Sequence, residues 1–283
     1  MKPQYQHTVM TSFLLWFDNY LLNKGEAFSS KTGTLQYFND TRLPDTYNVY
    51  ASPYKQWVND SSITNVVDGV FVGDSSTPSG RSQSLVFDFE NGRVIDTGNH
   101  LGTDKVITGT FAVKDFNVYL TNETEEDLIL ESKFVSNSRY GSDLNTGIKP
   151  YDQVVPAVFI NNESVNNAPF AFGGEDETRI SIKAVVMAED SYSLDGILSI
   201  FADSTRSNID VIPFSGHPAT EYGDLDGGSY NYDTLKDSIG NGQMYIDDVV
   251  VSKLSDQAKK QSIGSLKIGF IDFEVHQHRF PRL

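Results

Sequence analysis

The feature that most constrains the fold is the stretch from Ser84 to Ile95, in which apolar and polar residues alternate on both sides of Asn91-Gly92. A period of two puts Leu85, Phe87 and Phe89 on one face of a strand, and Asn-Gly supplies the positive φ angles of a type I′ turn. The expected register sets Phe89 opposite Val94 and Glu90 opposite Arg93, an apolar pair beside an ion pair. A slip of one residue would turn every one of these side chains to the wrong face. A chain that closes a tight hairpin here is committed to antiparallel sheet around it.

The rest of the sequence extends that pattern. Further strands are expected at Val106 to Leu120, Leu128 to Phe134, Val154 to Ile160, Thr178 to Ala188, Tyr245 to Leu254 and Leu266 to Val275. In the fourth of these, Ile180, Ile182, Ala184 and Val186 share a buried face, while Arg179, Ser181 and Lys183 take a wet one. In the last, the apolar phase changes from Leu266, Ile268 and Phe270 to Ile271, Phe273 and Val275, which a β-bulge at Gly269 would explain. Helix is scarce. Val9, Phe13, Trp16, Phe17 and Tyr20 form one helical stripe, closed by Lys24 and a C′ glycine at Gly25. A short internal helix over 193–203 carries Leu194, Ile197, Leu198 and Phe201, with Ser191 or Ser193 as its cap and Gly196 weakening its interior. The expected class is mainly β, an antiparallel sandwich or barrel-like fold with an N-terminal helix and one short internal helix. The aperiodic polar run 135–147 reads as a linker or long loop between a helix-plus-β region, 1–134, and a second β region, 148–283; one continuous domain is the alternative. Ser215 to Tyr232 reads as a second loop, rich in Gly, Asp and Tyr.

Charge and composition narrow the function classes. A formal charge of −16 and a pI near 4.6 oppose a role in wrapping nucleic acid, which needs clustered Lys and Arg. Cysteine is absent, so disulfides, thiolate metal sites and a Cys nucleophile are excluded. The apolar run Phe13 to Leu22 is interrupted by Asp18 and Asn19 and is about half a bilayer span, so a soluble chain without a signal peptide is expected.

Chemical motifs are weak. His276 and His278 alternate on one strand and would share a face for a metal if a third ligand converged, but the sparse motif reads first as a solvated strand end beside Arg279. Asp224-Leu-Asp226-Gly resembles the start of a calcium loop, yet position 235, where an EF-hand needs Glu, is Leu, and an Asx turn explains the pattern. These four residues are the metal candidates. Ser215-Gly-His217 lacks the Gly-x-Ser-x-Gly frame of a serine hydrolase, and Gly240-Asn-Gly242 is followed by no phosphate-binding lysine. No catalytic residue, cofactor or enzymatic activity is therefore expected. The acidic run Glu123-Thr-Glu-Glu-Asp127 reads as a solvated turn between strands that discourages pairing with another chain. Two segments suit contacts with other proteins: Tyr54 and Trp57 in the aromatic stretch Tyr50 to Trp57, and the basic, proline-stiffened end carrying Arg279, Phe280 and Arg282.

Several segments together resemble a group of uncharacterised virion structural proteins of tailed bacteriophages, of the marine and cyanobacterial type. They are the opening helix, Tyr50-Ala-Ser-Pro-Tyr-Lys-Gln-Trp57, Phe87-Asp-Phe-Glu-Asn-Gly-Arg-Val-Ile95, Lys114 to Thr121, Pro169-Phe-Ala-Phe-Gly-Gly174, Tyr192 to Phe201 and Gly269-Phe-Ile-Asp-Phe-Glu274. The resemblance implies a non-enzymatic building block of the virion, assembled in the host cytoplasm. Its expected place is the neck, in a connector or tail-terminator ring between head and tail. The implied partners are further copies of the chain, forming a homo-oligomeric ring, and other virion proteins such as portal, connector, tail tube or sheath. Genomic DNA would pass only as a repelled polyanion, and no membrane is involved. A tail-fibre or baseplate β module that binds a receptor or glycan is the alternative, and a β-rich hydrolase a third.

Overall fold

The computed structural model describes residues 4–38, 40, 43–63, 69–73, 79–80, 85–98, 100–130, 134–136, 153–170, 172–216, 218, 229–239, 242–254 and 266–280. Its strands make two curled sheets, as the two-residue alternation requires. The first contains β1 (Phe28–Phe38), β2 (Asn48–Ala51), β3 (Gly69–Val72), β4 (Ser79–Gly80), β5 (Leu85–Asp88), β6 (Arg93–Asp96) and β7 (Ile107–Lys114). Their order is β4-β3-β7-β1-β2-β6-β5, and every pairing is antiparallel. β1 serves both halves: Phe28 to Leu35 pair with β7, and Gln36 to Phe38 pair with β2. The sheet bends at that change of partner around a core that includes Leu35, Tyr50, Trp57, Phe87, Val94 and Phe111.

The second sheet contains β8 (Asn117–Leu120), β11 (Ala157–Pro169), β12 (Asp176–Ala188), β13 (Asn208–Asp210), β14 (Gln243–Lys253) and β15 (Lys267–Arg279). The order is β13-β14-β15-β12-β11-β8, antiparallel except for the parallel β11–β8 pair. β9 (Phe134–Ser136) and β10 (Gln153–Val155) form a small parallel pair of their own. The chain thus changes sheets between Lys114 and Asn117, earlier than the 135–147 run, of which 137–147 lie outside the described residues.

Among the described residues, four α-helices accompany the sheets: α1 (Tyr5–Gly25), α2 (Glu125–Leu130), α3 (Ser191–Ala202) and α4 (Tyr232–Ile239). The aromatic stripe of α1 packs on the second sheet. Phe17 stacks on Phe201 of α3 at 3.9 Å between centroids, and the Phe273 ring meets Phe13 edge-on at 5.1 Å. Each such burial stabilises the fold by roughly 1.5–3 kcal/mol. No helix among the described residues is long and apolar enough to cross a membrane.

Several local expectations are corrected. The hairpin pairs Phe87 with Val94 and Asp88 with Arg93, two residues off the expected register, with Phe89 to Gly92 as its loop. Only Gly92 takes a positive φ, of 62°, because the Asn91 side chain and N–H both donate to the Asp88 carboxylate, which also holds the Arg93 guanidinium at 2.7 Å. A shift of two keeps the faces, so Leu85, Phe87 and Phe89 are still buried together. Leu128 to Leu130, expected as the start of a strand, end α2. Its start is a Thr124-x-x-Asp127 capping box in which the Thr124 hydroxyl donates to Asp127 at 2.7 Å, and Glu125, Glu126 and Asp127 sit favourably at the positive end of the helix dipole rather than lining a turn between strands.

Gly269 makes no bulge, since β15 pairs with β12 without a break from Lys267 to Arg279. The apparent phase change arises because both faces of β15 are covered at that end: Ile268 and Phe270 lie in one cluster with Leu128, while Ile271, Phe273 and Val275 lie in the main core. Gly269 itself makes room for α3, as a Cβ there would come within 2.9 Å of Leu194 Cδ1. Similarly, Gly25 is not the left-handed residue that ends α1. Glu26 is, at φ 47°, and Gly25 admits Ile200. α3 is capped by Asp190, whose carboxylate accepts from the Ser193 N–H at 2.8 Å, in place of either serine.

A buried polar cluster joins the two sheets. Asp60, fully buried in the loop after β2, accepts hydrogen bonds from Asn19 of α1, from the N–H and hydroxyl of Ser62 and from the Tyr232 N–H, at 2.8 to 3.1 Å. Beside it, Lys114 of β7 reaches Asp18 of α1 at 2.6 Å. Burial, with Asp18 and Asp60 adding to it, pushes the Tyr230 hydroxyl well above its usual range.

Candidate assembly surface

Three exposed aromatic side chains, Phe170, Phe172 and Phe280, lie at one end of the second sheet. β11 and β12 run on together to Pro169 and Asp176, and their turn is closed by Phe170 N–H donating to the Glu175 carbonyl at 2.9 Å and by Gly174 at φ 81°. Phe172 stands clear of the turn with its whole side chain in solvent, and Phe170 and Phe280 are more than half exposed. The Phe170 ring leans on His278 of β15 at 4.4 Å between centroids, so the turn and the strand end form one surface.

Behind this surface the polar groups are fixed. Arg279 lies over the Tyr5 ring at 3.7 Å and donates through Nε to the Thr178 hydroxyl at 2.9 Å, tying β15 to α1 and β12. Thr178 in turn donates to Asn167 Oδ1 at 2.8 Å. His276 is 3% exposed, not solvated as its place near the strand end suggested. Its Nδ1 is 2.9 Å from Glu177 and 3.2 Å from the Tyr245 hydroxyl, and its Nε2 is 3.4 Å from Glu274. Polar partners on both sides of the ring hold it in place between β12, β14 and its own strand.

Burial pushes the Glu177 carboxyl up, but the hydrogen bonds and charges of Arg179 and His276 outweigh it and hold the group below its ordinary value of 4.5. A carboxylate depressed in the folded state contributes stability above its unfolded pKa and loses it as pH falls through the folded value. Stability is therefore expected to decline below about pH 4.5, and His276→Gln should flatten that decline. Urea midpoints measured from neutral to acid pH test the pair; an unchanged slope in the variant would show that it contributes nothing.

Further along the same face of the sheet, Glu123, Glu125, Asn161 and Glu163 line a pocket around Lys183. The ammonium lies 3.2 Å from Glu125 and from Glu163, and 3.7 Å from Asp272. Burial lowers the Lys183 amino group, yet the Glu163 and Glu125 hydrogen bonds and the Asp272 charge raise it on balance, which keeps it charged and not nucleophilic. The acidic run thus meets a lysine of its own chain.

The expected site residues separate. Asp224, Asp226 and Arg282 lie outside the described residues. His276 and His278 share a face but have different partners, and among the described residues no group of three or more His, Asp or Glu is placed to hold a metal ion. Trp57, expected at an interface, is 1% exposed and stacked on Phe111 at 4.6 Å, so it fills the first core. Tyr54 is half-buried between Phe111 and Lys31. The partner of the Tyr50 to Trp57 stretch is the hairpin loop of its own sheet: Ser52, Gln56 and Trp57 N–H groups donate to the carbonyls of Gly92, Glu90 and Phe89 at 2.8 to 2.9 Å. Arg279 is engaged within the chain, and Phe280 is exposed. Phe170 and Phe172 are not among the residues expected at a site, although Phe-x-Phe-Gly-Gly between two strands signals aromatics on a turn, where no core covers them. No protein-family model matches the chain, and no curated protein matches it.

Proposed function

We propose that this chain is a non-enzymatic structural protein of a tailed-phage virion, used in many copies in the neck, in the connector or tail-terminator ring between head and tail. The observation that carries the reading is the exposed Phe170, Phe172 and Phe280 surface, held by a hairpin continuous with the sheet and backed by the Arg279 and His276 contacts. Large aromatics on a rigid support anchor protein interfaces at low entropic cost. The net charge of −16 agrees with a channel wall along which DNA slides without sticking. Heterologous contacts between identical subunits close such a ring. Symmetry-resolved imaging of the native particle tests the reading: the expected result is a cyclic ring of this chain at the neck, with Phe172 seated against a neighbouring protein. A position at a fibre or baseplate tip with Phe172 facing outward would favour receptor or glycan binding and overturn it, as would the absence of this chain from the particle.

A further inference from the structure

β14 is covered on its outer side only at its beginning, where β13 pairs with Gln243 to Tyr245. From Asp248 to Lys253 it is bonded to β15 on one side, and no described strand pairs with the other. This open edge reads Asp248-Val-Val-Val-Ser-Lys253, with Val250 53% and Val251 36% exposed. Three consecutive β-branched residues form a strong strand, and a straight apolar edge is a template for another strand. The register shift that would spoil pairing lies before this stretch, between Ile246 and Asp248.

We propose that a second copy of this chain pairs antiparallel along this edge, about a twofold axis at Val250. A twofold axis normal to the sheet keeps the two faces of both copies continuous and sets each residue opposite its mirror position in the strand. Centred on Val250, it places Val250 opposite Val250 of the second copy, and Val249 opposite Val251. Asp248 then faces Ser252, so valine meets valine at every central position and the flanking positions are polar. Moving the centre to Val249 would set Asp248 against Val250, and moving it to Val251 would set Lys253 against Val249. The valines therefore select the register. The other long free edge, Asn161 to Pro169 on β11, is interrupted by a register shift between Asn162 and Ser164 and offers amides where β14 offers valines.

The contact closes on itself, so it adds one copy and stops. It rests on the strand edge alone and holds or fails independently of the virion reading.

The chain has no cysteine, so Val250→Cys introduces a single thiol. Residues directly opposite across an antiparallel pair have Cα atoms about 4.5–5.5 Å apart, within disulfide reach. Under mild oxidation the full-length V250C chain should become a covalent dimer several times faster than Tyr192→Cys, whose site on α3 is 90% exposed. In sedimentation at micromolar concentration, the unmodified chain should run at twice its 31.5 kDa mass. Val250→Lys, which sets two ammonium groups across the axis, should run as a monomer whose melting temperature, unlike that of the unmodified chain, does not depend on concentration. A monomeric unmodified chain, assemblies larger than a dimer, a dimer that V250K leaves intact, or equal cross-linking of V250C and Y192C would each overturn the proposal.

Discussion

Gly92→Ala is expected to lower stability by about 3 kcal/mol or more, the sum of left-handed strain and a backbone clash. The φ of 62° disfavours any side chain, and a Cβ would come 1.8 Å from the Tyr54 carbonyl oxygen, which belongs to the segment that grips the hairpin loop. Relief would require the Ser52 to Trp57 segment to lift away, exposing the stacked Trp57 and Phe111 rings. The loss should thus begin in the first sheet. Its two tryptophans allow this to be measured, since Trp57 lies in the first core and Trp16 in the second. In variants retaining one tryptophan each, thermal unfolding followed by fluorescence should show the Trp57 signal lost at a lower temperature in G92A. A melting curve within the error of the parent would mean that the loop relaxes freely, and that the clash is not what fixes this glycine.

The second large effect is expected at Phe273. Its ring is the meeting point of Phe13, Phe17 and Trp16 of α1 and Phe201 of α3, at 5.1 to 6.4 Å between centroids. Phe273→Ala should cost about 3–5 kcal/mol, from lost burial and the cavity left among rings too rigid to fill it. Urea denaturation with the linear extrapolation supplies the figure. A loss below about 1 kcal/mol would mean that α1 and α3 close over the gap. A change that small would contradict the packing described for this core.

The sequence and the structure agree where a pattern is local and repeated. Ile180, Ile182, Ala184 and Val186 are buried on one face of β12, and Val9, Phe13, Trp16 and Phe17 are buried along α1. In both, one period is maintained for several turns or pleats, so a single misread residue does not change the result. Disagreement came where remote partners decide. β15 is apolar on alternate faces because different elements cover each side, and no rule about neighbouring residues contains that fact. His276 is buried because Glu177, 99 positions away, and Tyr245, 31 positions away, close over it. Trp57 illustrates the same limit, since an aromatic beside a proline suits an interface or a core equally until its stacking partner is known. α2 was legible in principle from Thr124-x-x-Asp127, but a β-type apolar run after it outweighed the cap.

The candidate surface was partly legible for a related reason. Phe280 is exposed, as a terminal aromatic beyond the last strand tends to be, whereas Arg279 turns inward because Tyr5 offers it a ring face. Exposure at Phe170 and Phe172 follows from the length of β11 and β12, which carries their turn past the helices that cover the rest of the sheet. Strand length beyond the covering layer is set by tertiary packing and is not encoded in the turn itself.

The Asp60 cluster bears on how the molecule would carry mechanical load. One carboxylate is bonded at once to α1, to the loop after β2 and to the start of α4, and Lys114 fastens β7 to α1 a few residues away. A pull on the first sheet is delivered to the second through these polar contacts, which are short, directional and brittle compared with sliding apolar surfaces. The two sheets would resist small displacements stiffly and then separate abruptly, as a shear pin does, leaving each core closed.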